Sequence, residues 1–471
     1  MLEISGQKMN KKTRIEKDVL GELEIHEEVY WGINTQRAIQ NFKISGKQFP
    51  STFIIALAQV KKACLLANMD LGLIEEEIGK AILKASDEII VEEKHLDQFP
   101  VDIFQTGSGT QTNMNMNEVL ANRANEILGH PKGKKQPIHP NDHVNRAQSS
   151  NDVIPTSMHL SILSCLKYDL IPALKEIQNT LAKKISEFQG IIKVGRTHLQ
   201  DAVPIPLSLE FEVYKKQIEQ NENRLSSACE ELYLIPLGGT AVGTGINIHK
   251  DFSDKAVSNL SSITDFPFKE NPVKAEGIAS HNAIVKLSGI LKTLALSLLK
   301  MANDIRWMGS GPRAGLGELI LPQNEPGSSI MPGKTNPTQA EMLIQVCIQI
   351  IGNDTTISFA EGYGSTLDLN VAKPLMISIL LESINLLSNS IISFSKLTLE
   401  NLEANLPEIE KQLEQSLMII TKLTPIIGYD VAADIVQEAY RNGKTVKEIL
   451  IEKNIKLEEN IDELLDPRKM V

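Results

Sequence analysis

The stretch from Asn282 to Met308, NAIVKLSGILKTLALSLLKMANDIRWM, constrains the fold more than any other part of the chain. Its apolar residues recur at helical spacing yet fill more than one narrow stripe, so a single neighbouring helix leaves part of them in water. Such a helix must be covered on several sides, as at the centre of a multi-helix bundle, with other subunits or the rest of a large monomer as the cover. Two further stretches, about Leu207 to Leu234 and about Ala372 to Leu399, share its length and apolar character. Strand signals are sparse, and the expected class is mainly α. A chain of 471 residues has material for a large core and several domains.

Around this centre the chain changes character twice. TRIEKDVLGELEI reads as two short strands about Leu20-Gly21, and the sequence up to 146 then mixes helices with Gly- and Asn-rich loops, as a first domain. Residues 147–405 form the long-helix domain. After about Leu406 the chain becomes more charged, with short helices punctuated by Gly428 and Gly443, so 406–471 reads as a small satellite domain. Lysines interrupt the most apolar helices well short of a membrane-spanning length, and the N-terminal MLEISGQKMNKKTRIEKD lacks an apolar targeting core; a soluble, cytoplasmic protein without membrane contact is expected.

Charge and cysteine content narrow the chemistry. With 48 basic and 59 acidic residues, net −11, the chain lacks the basic surplus that nucleic acid requires, although a local pocket can still take an anionic small molecule. Cys64, Cys165, Cys229 and Cys347 are scattered without a CxxC pair, which argues against a disulfide framework or a thiolate metal site and for buried apolar positions.

Four polar loops interrupt the helical scaffold. In GSSIMPGKTNP, Gly327 and Gly333 enclose five residues, one more than a phosphate-binding loop allows, and Pro332 has no N–H to offer. Asn336-Pro337-Thr338-Gln339 instead predicts a helix start, with Asn336 as the cap and Lys334 beside it; free N–H groups, the helix dipole and an ammonium make an anion site. In TGSGTQTNMNMNEVL, Ser108, Gly109 and Thr110 suggest an oxyanion-binding nest ahead of a helix lined by Asn113, Asn115 and Asn117. In HPNDHVNRAQSSND, His139 and His143 stand four apart, but Pro140 favours a turn and no third ligand is apparent, so a metal is not expected. Ser149, Ser150, Asn151 and Asp152 in the same stretch place donors at another helix start. In VGRTHLQDAVPIPL, Thr197 and His198 lie in a loop bounded by Pro204 and Pro206, and a histidine there is suited to proton transfer near neutral pH.

Taken together, these motifs resemble the class II fumarases of the fumarase/aspartase superfamily. The likeness runs from RIEKDVLGE through QTGSGTQTNMNMNEVLANRA, HPNDHVN, QSSND, GRTHLQDA, LGGTAVGTGIN and GSSIMPGKTNPTQAE to IGYDVAADI, nearly the whole chain. It implies a three-domain, mainly α fold whose long-helix bundle forms a tetramer core, with active sites assembled from three subunits. It also implies reversible anti addition of water to fumarate, giving (S)-malate, without a metal or cofactor. The matching positions imply that Ser328 is the base and that His198, oriented by Glu341, protonates the leaving hydroxyl directly or through water. Ser108, Thr110, Ser149, Ser150, Asn151, Thr197, Ser329, Lys334 and Asn336 are implied as substrate contacts, with Gly109 in the same nest. His139, Pro140, Asn141 and Asp142 match a secondary dicarboxylate site. The chemistry demands such a set: the carbanion beside a carboxylate becomes a doubly negative aci-carboxylate that only preorganised donors and a cation can hold.

The nearest rival is aspartate ammonia-lyase; a non-catalytic helical scaffold is a remote one. Pro332-Gly333-Lys334, Gln148-Ser149-Ser150-Asn151 and Gly315-Leu316-Gly317-Glu318 favour the fumarase pattern over the Pro-Ala-Lys, Gln-Ser-Thr-Asn and Gly-Leu-Asn-Glu typical of the ammonia-lyase, whereas Ala314, Thr335 and the STLDLN stretch, Ser365 to Asn370, where fumarases commonly have Phe-Glu-Leu-Asn, depart from it.

Overall fold

The computed structural model describes residues 12–471; most of the N-terminal stretch read above for a targeting signal lies outside the described residues. Helices dominate, as the apolar periodicity predicts. The longest are Leu207–Leu232, Asn282–Met308, Thr338–Gly364 and Lys373–Phe394, followed by Ser51–Asp70. Three of these are the three long stretches read from the sequence. Thr338–Gly364 is a fourth, of which the sequence showed only the beginning.

The chain divides into two compact units, each assembled from three separate stretches. The first contains the described residues up to Leu170, then Arg224–Leu291 and Ile350–Asn385. It opens with β1 (Thr13–Asp18) and β2 (Gly21–His26), an antiparallel pair in the register Asp18↔Gly21, with Gly21 at φ 115° where the chain reverses. Its centre is the helix Ser51–Asp70, packed against Glu76–Ile90, Ser150–Cys165 and Phe252–Thr264. Leu57, Val60 and Ala63 there are completely buried.

The second unit comprises Ile171–Asn223, Lys292–Gln349 and Leu386–Val471. In it β3 (Ile192–Thr197) and β4 (Gln200–Pro206) form an antiparallel hairpin where the sequence reading had a loop. Pro204 and Pro206 do not forbid it, because each strand of a two-stranded ribbon is an edge whose outward N–H needs no ladder partner. The C-terminal segment has a small core of its own, in which Ile420, Leu423, Ile435, Ile449 and Leu450 are buried together.

One expectation needs correction. Ser51–Asp70, Asn282–Met308 and Lys373–Leu399 are each, by length and composition, long and apolar enough to cross a membrane, since one or two charged side chains such as Lys61 and Lys62 do not offset the apolar residues around them. Their coverage differs: the apolar window is 67% buried in Ser51–Asp70 and only 39% in Asn282–Met308. The helix that most constrained the fold is thus the one the single chain covers least.

Candidate active site

The first unit brings two of the sequence motifs together. Gly109, at φ 76°, turns the chain into the helix Thr110–Ile127. Ser149 caps the helix Ser150–Cys165: its Oγ accepts the Asn151 N–H at 3.2 Å, and its own N–H donates to Asp152 Oδ1 at 2.9 Å. The two helix starts meet through hydroxyls, with Ser108 Oγ 2.7 Å from Thr110 Oγ1, which is 2.9 Å from Ser150 Oγ. Asn151 Nδ2 donates to the Ala241 carbonyl at 2.8 Å. Two helix N-termini and a chain of hydroxyls thus converge where an anion finds donors. Gly107 makes room for this turn, because a Cβ there would lie 1.5 Å from the Val371 carbonyl oxygen.

Beneath these donors lies a buried polar layer in which Asp152, read from the sequence as one of the donors at the helix start, is instead an acceptor, and in which Lys61 was not anticipated. Asp152, fully buried, accepts N–H bonds from Gly238 at 3.1 Å and Thr240 at 2.9 Å besides that of Ser149. Burial pushes its carboxyl up to about 6, against the pull of those N–H groups and of Lys61. Lys61, 1% exposed, donates to Asn145 Oδ1 and Gln148 Oε1, both at 2.9 Å. A signal was available: Lys61 lies four residues after Leu57 and three before Cys64, on the apolar face of its helix.

In the second unit, His198 and Leu199 form the tip of the β3–β4 hairpin, at φ 56° and 57°. Two successive left-handed residues without glycine or asparagine are strained, a feature that clusters at functional sites. A buried ion cluster fixes the base of the hairpin. Glu318, fully buried, accepts Arg196 Nη1 at 2.6 Å and faces Lys193 Nζ at 3.3 Å, while Arg196 Nη2 reaches Gln412 Oε1 at 2.9 Å. Glu318 belongs to the Gly315-Leu316-Gly317-Glu318 marker, but Gly317 itself, at φ 61°, occupies a conformation open to asparagine, with space for a Cβ. That contrast with the ammonia-lyase pattern has no steric basis in the backbone.

The Ser328 loop is closed at its neck. Asn336 Nδ2 donates to the Gly327 carbonyl, Lys334 Nζ donates to Asn336 Oδ1, and a Cβ on Gly327 would lie 2.3 Å from the Lys334 carbonyl oxygen. Gly327 is therefore needed for close approach, and Gly333, at φ 78°, for the left-handed turn. Ser328 Oγ accepts N–H bonds from Met331 at 3.0 Å and Ile330 at 3.3 Å. Ser329 and Lys334 are exposed, as are Ile330 at 83% and Met331 at 48%. The helix begins at Thr338, one residue later than the cap rule predicts, with the Glu341 N–H bonded to the Pro337 carbonyl at 3.1 Å. Glu341 is exposed, and its carboxylate and the His198 ring have no hydrogen-bond partner among the described residues.

The remaining motif forms a short helical turn, Pro140–Val144, in keeping with the turn that Pro140 favours. His139 Nδ1 accepts the N–H groups of Asn141 and Asp142, each at 3.2 Å, and His143 Nδ1 accepts that of His139 at 2.9 Å. The STLDLN departure is a small hairpin, Ser365–Thr366 against Leu369–Asn370, whose differing residues Leu367 and Asp368 are at its exposed tip. The four cysteines are free and buried.

Comparison with known proteins agrees over nearly the whole chain. A lyase family model matches residues 21–352, and a fumarase C C-terminus model matches 419–471. The class II fumarate hydratase of Nitrosomonas europaea is 47% identical over 97% of this chain and 98% of its own. That of Thermosynechococcus vestitus is 50% identical over 94% and 95%. Among solved structures, the class II fumarase of Schistosoma mansoni superposes with a TM-score of 0.94 at 40% identity, covering 98% of this chain and 99% of that one. A fumarate lyase:delta crystallin structure from Brucella melitensis matches at 0.94 and 42%, with the same coverage.

Proposed function

The chain belongs to the class II fumarate hydratase family, and from that premise we propose that it catalyses the reversible anti addition of water to fumarate, giving (S)-malate. The observation that carries the mechanism is the pair of backbone N–H groups, of Ile330 and Met331, directed at Ser328 Oγ. A serine hydroxyl is a poor base; N–H donors stabilise its oxyanion and lower the cost of forming it.

In the dehydration direction, the Ser328 oxyanion takes the C3 proton of malate. The electron pair left behind spreads into the adjacent carboxylate, which Lys334, Asn336 and the start of the helix Thr338–Gly364 hold as an aci-carboxylate. The C2–O bond then breaks, the hydroxyl takes a proton from His198 on the opposite face and leaves as water, and the double bond forms. Ser108, Thr110, Ser149, Ser150 and Asn151 grip a carboxylate, with Thr197 and Ser329 completing the contacts. Glu341 orients His198. His139, Pro140, Asn141 and Asp142 form a secondary dicarboxylate site.

The protein works as a homotetramer in the cytoplasm. Leu296 and Trp307 on Asn282–Met308, and Ile348 and Phe359 on Thr338–Gly364, are exposed in the single chain, which supports burial against other copies. His198 and Glu341, without partners among the described residues, fit a site completed across subunits.

The direct test is to add malate to purified protein and follow the ultraviolet absorbance of fumarate. A rise is expected. A rise with aspartate and none with malate would overturn the reading in favour of an ammonia-lyase.

A further inference from the structure

Two adjacent lysines on the helix Ser51–Asp70 have opposite fates. Lys62 reaches the surface and pairs with Asp87 at 2.5 Å. Lys61 is buried with no carboxylate in hydrogen-bond contact, an arrangement that costs stability unless something else requires the charge.

The partners of Lys61 show what it holds. Asn145 Oδ1 also accepts Asn113 Nδ2 at 3.2 Å and Asn117 Nδ2 at 3.1 Å, leaving the carbonyl oxygens of those two side chains buried and unpartnered. Asn145 Nδ2 donates to the Gln148 carbonyl at 3.2 Å, and Gln148 Nε2 to the Val144 carbonyl at 3.0 Å. Asn68 Nδ2 donates to the Arg146 carbonyl at 3.0 Å. These bonds pin the turn 145–148, in which Ala147 is held at φ 61°, and the next residues in the chain are Ser149, Ser150 and Asn151.

We infer that Lys61 is a positioning residue and the buried counter-charge of the carboxylate site. Through Asn145 and Gln148 it fixes the turn that delivers Ser149, Ser150 and Asn151, and the incoming dicarboxylate balances its positive charge. The inference rests on the proposed role of those three residues in gripping a carboxylate. The titratable groups acting on Lys61 are Cys64, which burial keeps as a neutral thiol, and Asp152, whose charge is already engaged by three backbone N–H groups. Burial lowers the ammonium to about 7 in the unliganded chain, so a dianion bound nearby pulls a proton back onto it.

The test is the inhibition constant of succinate, an unreactive dicarboxylate, between pH 6.5 and 8.5, for the tetramer and for Lys61→Met, Lys61→Arg and Ser150→Ala. In the unaltered protein, affinity should weaken as pH rises above 7, by up to about tenfold per unit. Lys61→Met should weaken it roughly tenfold at pH 6.5 and remove that pH component, while Lys61→Arg, charged throughout, should restore binding at pH 8.5. Binding and pH profile unchanged in a folded Lys61→Met protein would overturn the inference. Should Lys61→Met not fold, calorimetry of the unaltered protein in two buffers decides: proton uptake on binding succinate at pH 7.5 supports it and none overturns it. If Ser150→Ala weakens succinate and Lys61→Met does not, this inference alone fails; if Ser150→Ala leaves binding intact, the assignment of the carboxylate site fails.

Discussion

The Ser108–Thr110–Ser150 site and the Ser328 loop are both built from serines, glycines and a helix start, yet they are supported in opposite ways. The first stands on a buried polar layer in which Asp152, Asn113, Asn117 and Lys61 are all at most 2% exposed. The second is closed only by its own backbone and by Lys334 and Asn336, and it exposes Ile330 and Met331 to solvent. A group that grips a ground-state carboxylate benefits from rigidity before substrate arrives. A group that removes a proton also needs a dry site, and the exposed loop obtains one only when covered. On the proposed assignment, the binding half is finished within one chain and the proton-abstracting half waits for its cover.

This contrast predicts that activity and stability separate between the two regions. Ser328→Ala should lower turnover by about 10³-fold or more while leaving Tm and oligomeric state unchanged, because the loop supports nothing beneath it. Near-normal turnover would remove Ser328 from the base role. Asp152→Ala should do the reverse, costing about 3 kcal/mol of stability by stranding three buried backbone N–H groups; denaturant unfolding with an unchanged midpoint would break the comparison. Lys334→Ala should lower kcat and raise KM together, about 10²-fold in kcat/KM, because one cation serves both the bound carboxylate and the aci-carboxylate. An unchanged kcat would confine Lys334 to binding.

The smallest effect concerns pH. His159, buried with Nδ1 3.0 Å from the Leu232 carbonyl, is depressed by desolvation to about 4. The unfolded chain binds a proton there below about 6.5, so the folded state loses stability as pH falls from about 6.5 towards 4. Tm should fall across that window, and less steeply in His159→Gln.

Three of the four longest helices were legible from length and apolar periodicity, as in Asn282–Met308, whereas Thr338–Gly364 was read only at its start. The hairpin carrying His198 was not, because Pro204 and Pro206 argue for a loop unless both strands are known to be edges. Nor does the sequence order reveal that Ser108 and Ser150 meet through Thr110, a contact set by packing between separate helix starts. Lys61 reads as an interruption of an apolar helix until its partners on the turn 145–148 are placed. The site motifs could be proposed from the sequence because anion binding at a helix start needs particular residue types at particular positions.

Central to this account is that Ser328 removes the C3 proton of malate. The most direct measurement is incorporation of solvent deuterium at that carbon, followed by NMR in D2O at equilibrium, for the unaltered protein and for Ser328→Ala at matched concentration and oligomeric state. The account predicts malate deuterated at a single C3 position with the unaltered protein and none above background with Ser328→Ala. Exchange at a comparable rate in the variant would contradict it.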